Sequence, residues 1–382
     1  MANFVVIKKS RHILILSSWY PSRLDKYNGD FVQRHAIAIS LLNKVSVIHV
    51  EGDPSIHQWE FEENQVNENM TEHIYYFPKS KFPIINFFRK IAGLRKGKKR
   101  IKDADLIHAS IVHYHFIWLM FQSLPFFIAE HSTQYHRLNE LPNAWLKRLL
   151  LRPIFKNAKA VLPVSRHLGK KLEDFCGKLP IYVIPNAVDT AKFYPQIKPK
   201  SGFTFLHLSN LSKAKNIQGI LQSILELKNQ GYHFNFHIGG NGDSKLIADF
   251  RQHNDLGDYI QVLPALSHIQ VADEMRLADC FILFSNFENQ PCVLAEAMAC
   301  GLPFISTRVG GIHEFTIENS CYLIEKGNVS QLVDAMKKMM LNQNQINKST
   351  LSEYADSQFS YSNISLKINK IYNDCLSGSN SK

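Results

Sequence analysis

Closely paired cysteines, uninterrupted apolar runs of membrane-spanning length and low-complexity tracts are all missing from this chain of 382 residues. Its six cysteines, Cys176, Cys280, Cys292, Cys300, Cys321 and Cys375, are scattered and mostly lie within apolar runs. That argues for a reducing compartment and against a cysteine-built metal site. The most apolar long stretch, residues 111–129, is interrupted by His113, His115, Gln122 and Pro125, so it does not read as a membrane span. The apolar burst at residues 4–7 is followed by Lys8, Lys9 and Arg11, a strand pattern rather than a signal-peptide core. The expectation is a cytoplasmic protein, peripheral at the inner face of the membrane.

Acidic residues are also in short supply: 33 Asp and Glu stand against 44 Lys and Arg, a net charge of +11 that attracts polyanions. No acidic residue occurs over residues 79–102, which carry Lys79, Lys81, Arg89, Lys90, Arg95, Lys96, Lys98, Lys99, Arg100 and Lys102. Ile84, Phe87, Phe88, Ile91 and Leu94 recur there at helical spacing after Pro83. A basic amphipathic helix of this kind suits an anionic membrane surface. Alternatively, the apolar stripe packs on the protein's own sheet and the lysines are merely solvated. A second basic segment, residues 145–159, tilts the reading toward the membrane. RNA-binding and helix-turn-helix signatures are missing, so charge alone does not make this a nucleic-acid binder.

What is present is a long alternation of buried-looking strands and helical patterns, the signature of a doubly wound α/β architecture. The length suits two domains, because single cores rarely grow past roughly 250–300 residues. Strands are expected at 12–17, 45–50, 106–109, 126–129, 160–164 and 181–184, and then at 203–208, 233–238, 260–262, 280–284 and 304–307. The polar, proline-bearing segment 190–202 reads as the linker between a domain over residues 1–195 and another over 200–350. A C-terminal helix at about 355–375 is expected to pack back on the first domain, and the polar tail 377–382 to be disordered.

The most informative run is Phe281-Ile-Leu-Phe-Ser285-Asn-Phe-Glu288-Asn289-Gln290-Pro291-Cys292-Val293-Leu-Ala-Glu296-Ala-Met-Ala-Cys-Gly301-Leu-Pro303. It reads as a buried strand, a polar loop, and a helix opened by Pro291 and closed by Gly301 and Pro303. Glu288 then lies at the carboxyl end of a strand and Glu296 about one turn into the helix, where the dipole favours a carboxylate. Two carboxylates at one crevice suit a polyhydroxyl ligand; the plainer reading is one solvated loop glutamate and one serving the helix. Gly239-Gly240-Asn-Gly242 follows a strand, where glycine lets a backbone approach a phosphate or sugar. Asn210, Lys213 and Lys215 follow another strand, and a lysine there can neutralise a diphosphate. Gly29 and Asp30 close a long loop after the first strand, and His131 sits at a strand's carboxyl end. Asp103-Ala-Asp105 matches a metal-binding pattern but precedes a strand, away from the expected ligand face, and is rejected.

In their order these motifs resemble the retaining glycosyltransferases of the large family four, and the likeness covers nearly the whole chain. Glu288 to Glu296 resembles that family's E-x7-E element, continued by Gly310-Gly311-Ile-His-Glu314. Pro185-Asn186-Ala187-Val188-Asp189 resembles its segment entering the linker, with Ala187 where glycine is common. The resemblance implies the GT-B fold, two Rossmann-like domains facing a central cleft. It also implies a nucleotide diphosphate sugar as donor, no cofactor and no metal. On it, Lys215, Gly29 and the amides following Glu288 would serve the donor diphosphate, with Asn289, Gln290, Pro291, Cys292 and Val293 among the donor-binding residues. Glu288 and His131 would hold sugar hydroxyls, and Glu296 the ribose. The chain departs from the family pattern at three further places: Asn210 replaces a clamp arginine, Asn216 a glycine and Asp30 a second glycine. Either Lys215 then suffices, or a further cation such as Lys213 or Arg308 contributes, or the donor differs.

The reaction so implied moves a sugar with retention to a hydroxyl of a glycan or lipid-linked acceptor in cell-envelope polysaccharide synthesis. No convincing second carboxyl supplies double displacement, which needs two about 5 Å apart, so a front-face route is expected. Rival readings are a nucleotide-sugar epimerase, a phosphorylase, and a catalytically weak or inactive membrane-docked subunit scaffolding a partner glycosyltransferase. Asn210 recommends the last.

Overall fold

Strands such as His-Ile-Leu-Ile-Leu-Ser, apolar on both faces, are stable only where helices cover the sheet on both sides. The computed structural model describes residues 10–136, 144–196 and 202–377 and contains two such sheets. The chain divides into two units, one running to Ala187 and resuming at Tyr361, the other spanning Val188–Ser360.

In the first unit the elements are β1 (His12–Ser17), α1 (Asp30–Ser40), β2 (Lys44–Asp53), β3 (Glu60–Asn67), β4 (Met70–Pro78), α2 (Pro83–Arg100), β5 (Leu106–Ser110), β6 (Phe126–Glu130), α3 (Ala144–Asn157), β7 (Val161–Pro163) and α4 (Arg166–Cys176). The second holds β8 (Thr204–Ser209), α5 (Ile217–Asn229), β9 (Asn235–Gly240), α6 (Lys245–His253), β10 (Ile260–Leu263), α7 (His268–Leu277), β11 (Cys280–Leu283), α8 (Cys292–Ala299), β12 (Phe304–Thr307), β13 (Cys321–Ile324), α9 (Val329–Asn342) and α10 (Lys348–Phe359). The last helix, α11 (Tyr361–Ser377), belongs to the first unit.

The second sheet has the order β10-β9-β8-β11-β12-β13 and is parallel throughout. The first has the order β3-β4-β2-β1-β5-β6-β7, parallel except for the β3–β4 pair at its edge. Both are doubly wound sheets whose order reverses beside the first strand of the unit. Ligands of such sheets bind outside the carboxyl ends of the strands at the reversal, here β8 with β11 and β1 with β5.

Several sequence expectations need correction. The β3–β4 hairpin and β13 were not expected, and the segment 181–184 is not a strand. Tyr182 and Ile184 donate to the carbonyls of Val161 and Pro163, but Pro163 has no amide hydrogen to return a bond, so only one bridge, Val161 with Ile181, forms. The changeover between units falls at Ala187 and Val188, ahead of the segment 190–202. Residues 355–375 form two helices, not one: α10 ends at Phe359, in the second unit, and α11 starts at Tyr361. There α11 packs along α1 and buries Ile364, Ile368 and Tyr372, with the Tyr372 hydroxyl 2.7 Å from His108 Nδ1. Residues 4–7, 197–201 of the expected linker and 378–382 of the expected tail lie outside the described residues.

Candidate functional site

The loops leaving β8 and β11 meet side by side. After β8 the chain makes a short 3-10 turn, Lys213–Lys215, and enters α5 through Asn216. Asn216 sits in the left-handed region at φ 50°, ψ 51°, and its side chain accepts the Gly219 amide. Asparagine is the residue that best tolerates that region after glycine, which explains why it can stand at this position. The turn delivers Lys215 Nζ to 2.6 Å from Glu288 Oε1, with the two side chains only 18% and 11% exposed. Asn286 fastens the loops together, its amide donating to Ala214 O at 2.6 Å and its Nδ2 to Lys213 O. Glu288 is therefore no solvated loop glutamate.

From below, the β12 loop supports the same segment. Gly310 lies at φ 57° against the Glu288 carbonyl, where a Cβ would come within 1.9 Å, and Gly311 donates to Asn289 O at 2.7 Å. Asn289, Gln290 and Glu296 are buried. Pro291 is the N-cap of α8, with Cys292 and Val293 half-buried in its first turn. The helix ends in a Schellman motif: Gly301 at φ 69°, with Gly301 N bonded to Met298 O and Leu302 N to Ala297 O.

Other expected residues have plainer placements. Asn210 is exposed, and its Oδ1 accepts the Ser212 amide, closing a turn on its own loop. Gly239 lies in β9, where a Cβ would meet the Leu263 carbonyl at 2.3 Å; Gly240 and Gly242 similarly clear Ser209 and Asn210. Close packing of neighbouring backbone therefore accounts for these glycines without a ligand. Lys213 and Arg308 are exposed. Asp103 pairs with Lys44 and His12, and Asp105 accepts the His12 amide, so the rejected Asp-Ala-Asp motif ties the amino ends of β1 and β2. Among the described residues no group of three or more His, Cys, Asp or Glu side chains is placed to hold a metal ion.

Gly29, Asp30 and His131 belong to the first unit. Gly29 caps α1 at φ 72°, and a Cβ there would collide with the Trp19 carbonyl at 2.4 Å. Asp30 opens the helix, where the dipole favours its carboxylate, and pairs with Arg34 at 2.8 Å. The next residue, Phe31, packs on the His131 ring at 4.8 Å, and His35 meets that ring edge-on at 5.0 Å. His131 Nδ1 lies 2.9 Å from Asn186 Oδ1, which requires the imidazole to donate there. Burial holds the His131 pKa well below its ordinary value, with the nearby His35 adding to the effect, so the ring is neutral.

One buried group went unassigned in the sequence. Glu130, fully buried at the end of β6, accepts the amides of His131 at 3.0 Å and Ser132 at 2.9 Å on one oxygen. Its other oxygen accepts the Val112 amide at 3.2 Å and the Tyr135 hydroxyl. It thus ties the β5 and β6 loops. Ile111, at the end of β5, holds φ 56°, a strained angle for a β-branched residue. Burial raises the Glu130 pKa to about 7 against the opposing effect of these donors.

Residues 32–192 match Glycosyltransferase Family 4, and residues 189–358 match Glycosyl transferases group 1. The chain belongs to the GT4-type glycosyltransferases of the GT-B fold. One human relative, a component of phosphatidylinositol N-acetylglucosaminyltransferase, is 34% identical over 160 residues, 41% of this chain and 33% of that protein. The chain thus matches only about a third of that relative's length. Among solved structures, sucrose-phosphate synthase from Thermosynechococcus elongatus has a TM-score of 0.77 at 17% identity, covering 96% of this chain and all of that one. Anabaena HepE, solved with UDP and glucose, has a TM-score of 0.71 at 14% identity, with 96% and 100% coverage. At such identities the likeness is one of fold.

Proposed function

We propose that this GT4-type enzyme transfers a sugar, with retention at the anomeric carbon, from a nucleotide diphosphate sugar to a hydroxyl of a glycan or lipid-linked acceptor in cell-envelope polysaccharide synthesis. The reading rests above all on Lys215 Nζ held 2.6 Å from Glu288 Oε1 at the carboxyl ends of β8 and β11. In this mechanism Lys215 neutralises the departing diphosphate, and the Asn289, Gln290, Cys292 and Val293 amides add oriented donors where negative charge develops. Glu288 binds sugar hydroxyls beside the reacting carbon, and its carboxylate favours the oxocarbenium-like centre of a front-face route. Glu296 takes the ribose hydroxyls. From the first unit, Gly29 permits close approach of backbone to phosphate, and neutral His131 accepts a sugar hydroxyl. The enzyme works without a metal, in the cytoplasm, at the inner face of the membrane where a lipid-linked acceptor is presented.

The test is incubation of the purified chain with a panel of nucleotide sugars and of glycan and lipid-linked acceptors, following nucleoside diphosphate release and then the anomeric configuration of the glycoside formed by proton NMR. Release from one donor with retained configuration is expected. Inverted product would overturn the mechanism, and release from none would favour the inactive scaffolding role that the exposed Asn210 recommends.

A further inference from the structure

The apolar side chains of the basic helix α2 do not all pack on the sheet. The helix closes on β2 through Gly93, Leu94 and Gly97, all buried; a Cβ at Gly93 would meet Val50 at 2.5 Å and one at Gly97 would meet Ile48 at 2.6 Å. Contact that close turns the opposite stripe outward. Phe82 is 66% exposed, Ile84 61% and Phe88 61%. On α3, Trp145 is 68% and Leu149 63% exposed. Both helices pack against the same 3-10 segment, Tyr114–Phe121, whose last residue is 79% exposed.

The two exposed stripes have one design. In each, an exposed aromatic is followed on the same helix face by arginine seven residues on and lysine eleven on: Phe88, Arg95 and Lys99 in α2, Trp145, Arg152 and Lys156 in α3. With a rise of 1.5 Å per residue, each arginine lies about 10 Å along the axis from its aromatic. On this face each helix thus carries an aromatic tip nearer its amino end and cations following it toward the carboxyl end, with Arg148 adding a cation beside Leu149 in α3. On α3, Trp145, Arg148, Leu149, Arg152, Pro153 and Lys156 line an open groove. Arg152 and Lys156 each donate to a carbonyl at or just beyond the end of α4, of Cys176 and Lys178, yet stay exposed.

We propose that the amino ends of α2 and α3, with Phe121 between them in sequence, form a docking surface for an anionic lipid bilayer. The aromatic and aliphatic tips enter the headgroup boundary while the arginines and lysines lie against lipid phosphates. The proposal deepens the membrane-side reading above by giving it a footprint. Charge selects the occupant: residues 79–102 and 144–163 contain no Asp or Glu, so a second copy of this surface would set cation against cation. A nucleic acid would use the cations but leave Ile84, Leu149 and their neighbours in water.

The experiment is sedimentation of the full chain with phosphatidylcholine vesicles, with and without phosphatidylglycerol, at low and high salt. Trp145 insertion is read by quenching with brominated lipid. Binding should require the anionic lipid and weaken with salt, and the Trp145→Ser change should remove quenching that the wild type shows. Replacing Arg95, Lys99 and Arg148 by Gln should cost roughly fivefold in partitioning per residue. Replacing Phe88, Trp145 and Leu149 by Ser should abolish insertion. Both sets should keep wild-type donor cleavage in solution, which separates this surface from the transfer reaction. Equal binding to both vesicle types, binding unmoved by either set, or RNA binding in place of vesicle binding would overturn the proposal.

Discussion

Glu130 is a carboxylate with only donors around it, and its titration gives a direct residue-scale test. Its folded pKa of about 7 lies above the ordinary value of 4.5. The native state therefore holds its proton more tightly than the unfolded chain does. The resulting stability is fully present below the unfolded value and is lost as pH rises toward 7, by on the order of 3 kcal/mol. Glu130→Gln removes that dependence. Urea titrations at pH 5 and pH 7.5 should show the wild type losing more stability between them than the variant does; parallel losses would contradict the placement. At this scale the sequence was legible where chemistry is local. Glu288 and Lys215 could be named from their positions after strands, and Asn216 could be noted as a substituted glycine. What could not be read is that Lys215 pairs directly with Glu288, because 73 residues separate them. Nor could Glu130, since nothing in a Glu-His pair says that the Val112 amide returns to it from another loop. Asn210 could be noted as a departure from the family pattern, but its turn onto Ser212 depends on backbone geometry that the pattern does not encode.

Continuous apolar runs marked most strands at element scale, because burial on both faces leaves no polar alternation to obscure them. β1 and β12 have the expected bounds, and the others differ by a few residues at their ends. The edge strand β3 escaped because Glu60-Phe-Glu-Glu-Asn-Gln has one face in water and reads as a loop. It nevertheless has work to do: Arg23, in the loop that leads to Gly29, bonds Glu60 at 2.6 Å and Glu62 at 3.3 Å on β3 and Asp53 at 2.8 Å on β2. The hairpin missed in the sequence is thus an anchor for that loop. Helix α2 was foreseen, yet the glycines that set its approach were not given a role. Gly93→Ala gains about 1 kcal/mol in helix propensity, but its methyl group meets the stiff Val50 side chain at 2.5 Å. Overpacking of this kind costs about 1–3 kcal/mol. A net loss of stability is expected in urea denaturation, and a net gain would show that α2 is not held close to β2.

For the whole molecule, two doubly wound units and a net charge of +11 were readable because periodicity and composition are additive along a chain. The crossing points were less so: the polar segment 190–202 looks like a linker, but the backbone changes unit at Ala187 and again at Ser360, and Val188 N bonds Phe359 O at 2.8 Å where these two crossings meet. No helix among the described residues is long and apolar enough to cross a membrane. The chemistry at the β8 and β11 loops is tested by the single-turnover rate of donor cleavage in Lys215→Ala, Glu288→Ala and the double variant, each shown to be folded. Removing one preorganised electrostatic contact of this kind costs about 10²–10³ in rate. Each single change is expected to slow cleavage by roughly a hundredfold or more, and the double change by much less than the product of the two, because the side chains act as a pair. Rates near wild type in either single variant would contradict the account.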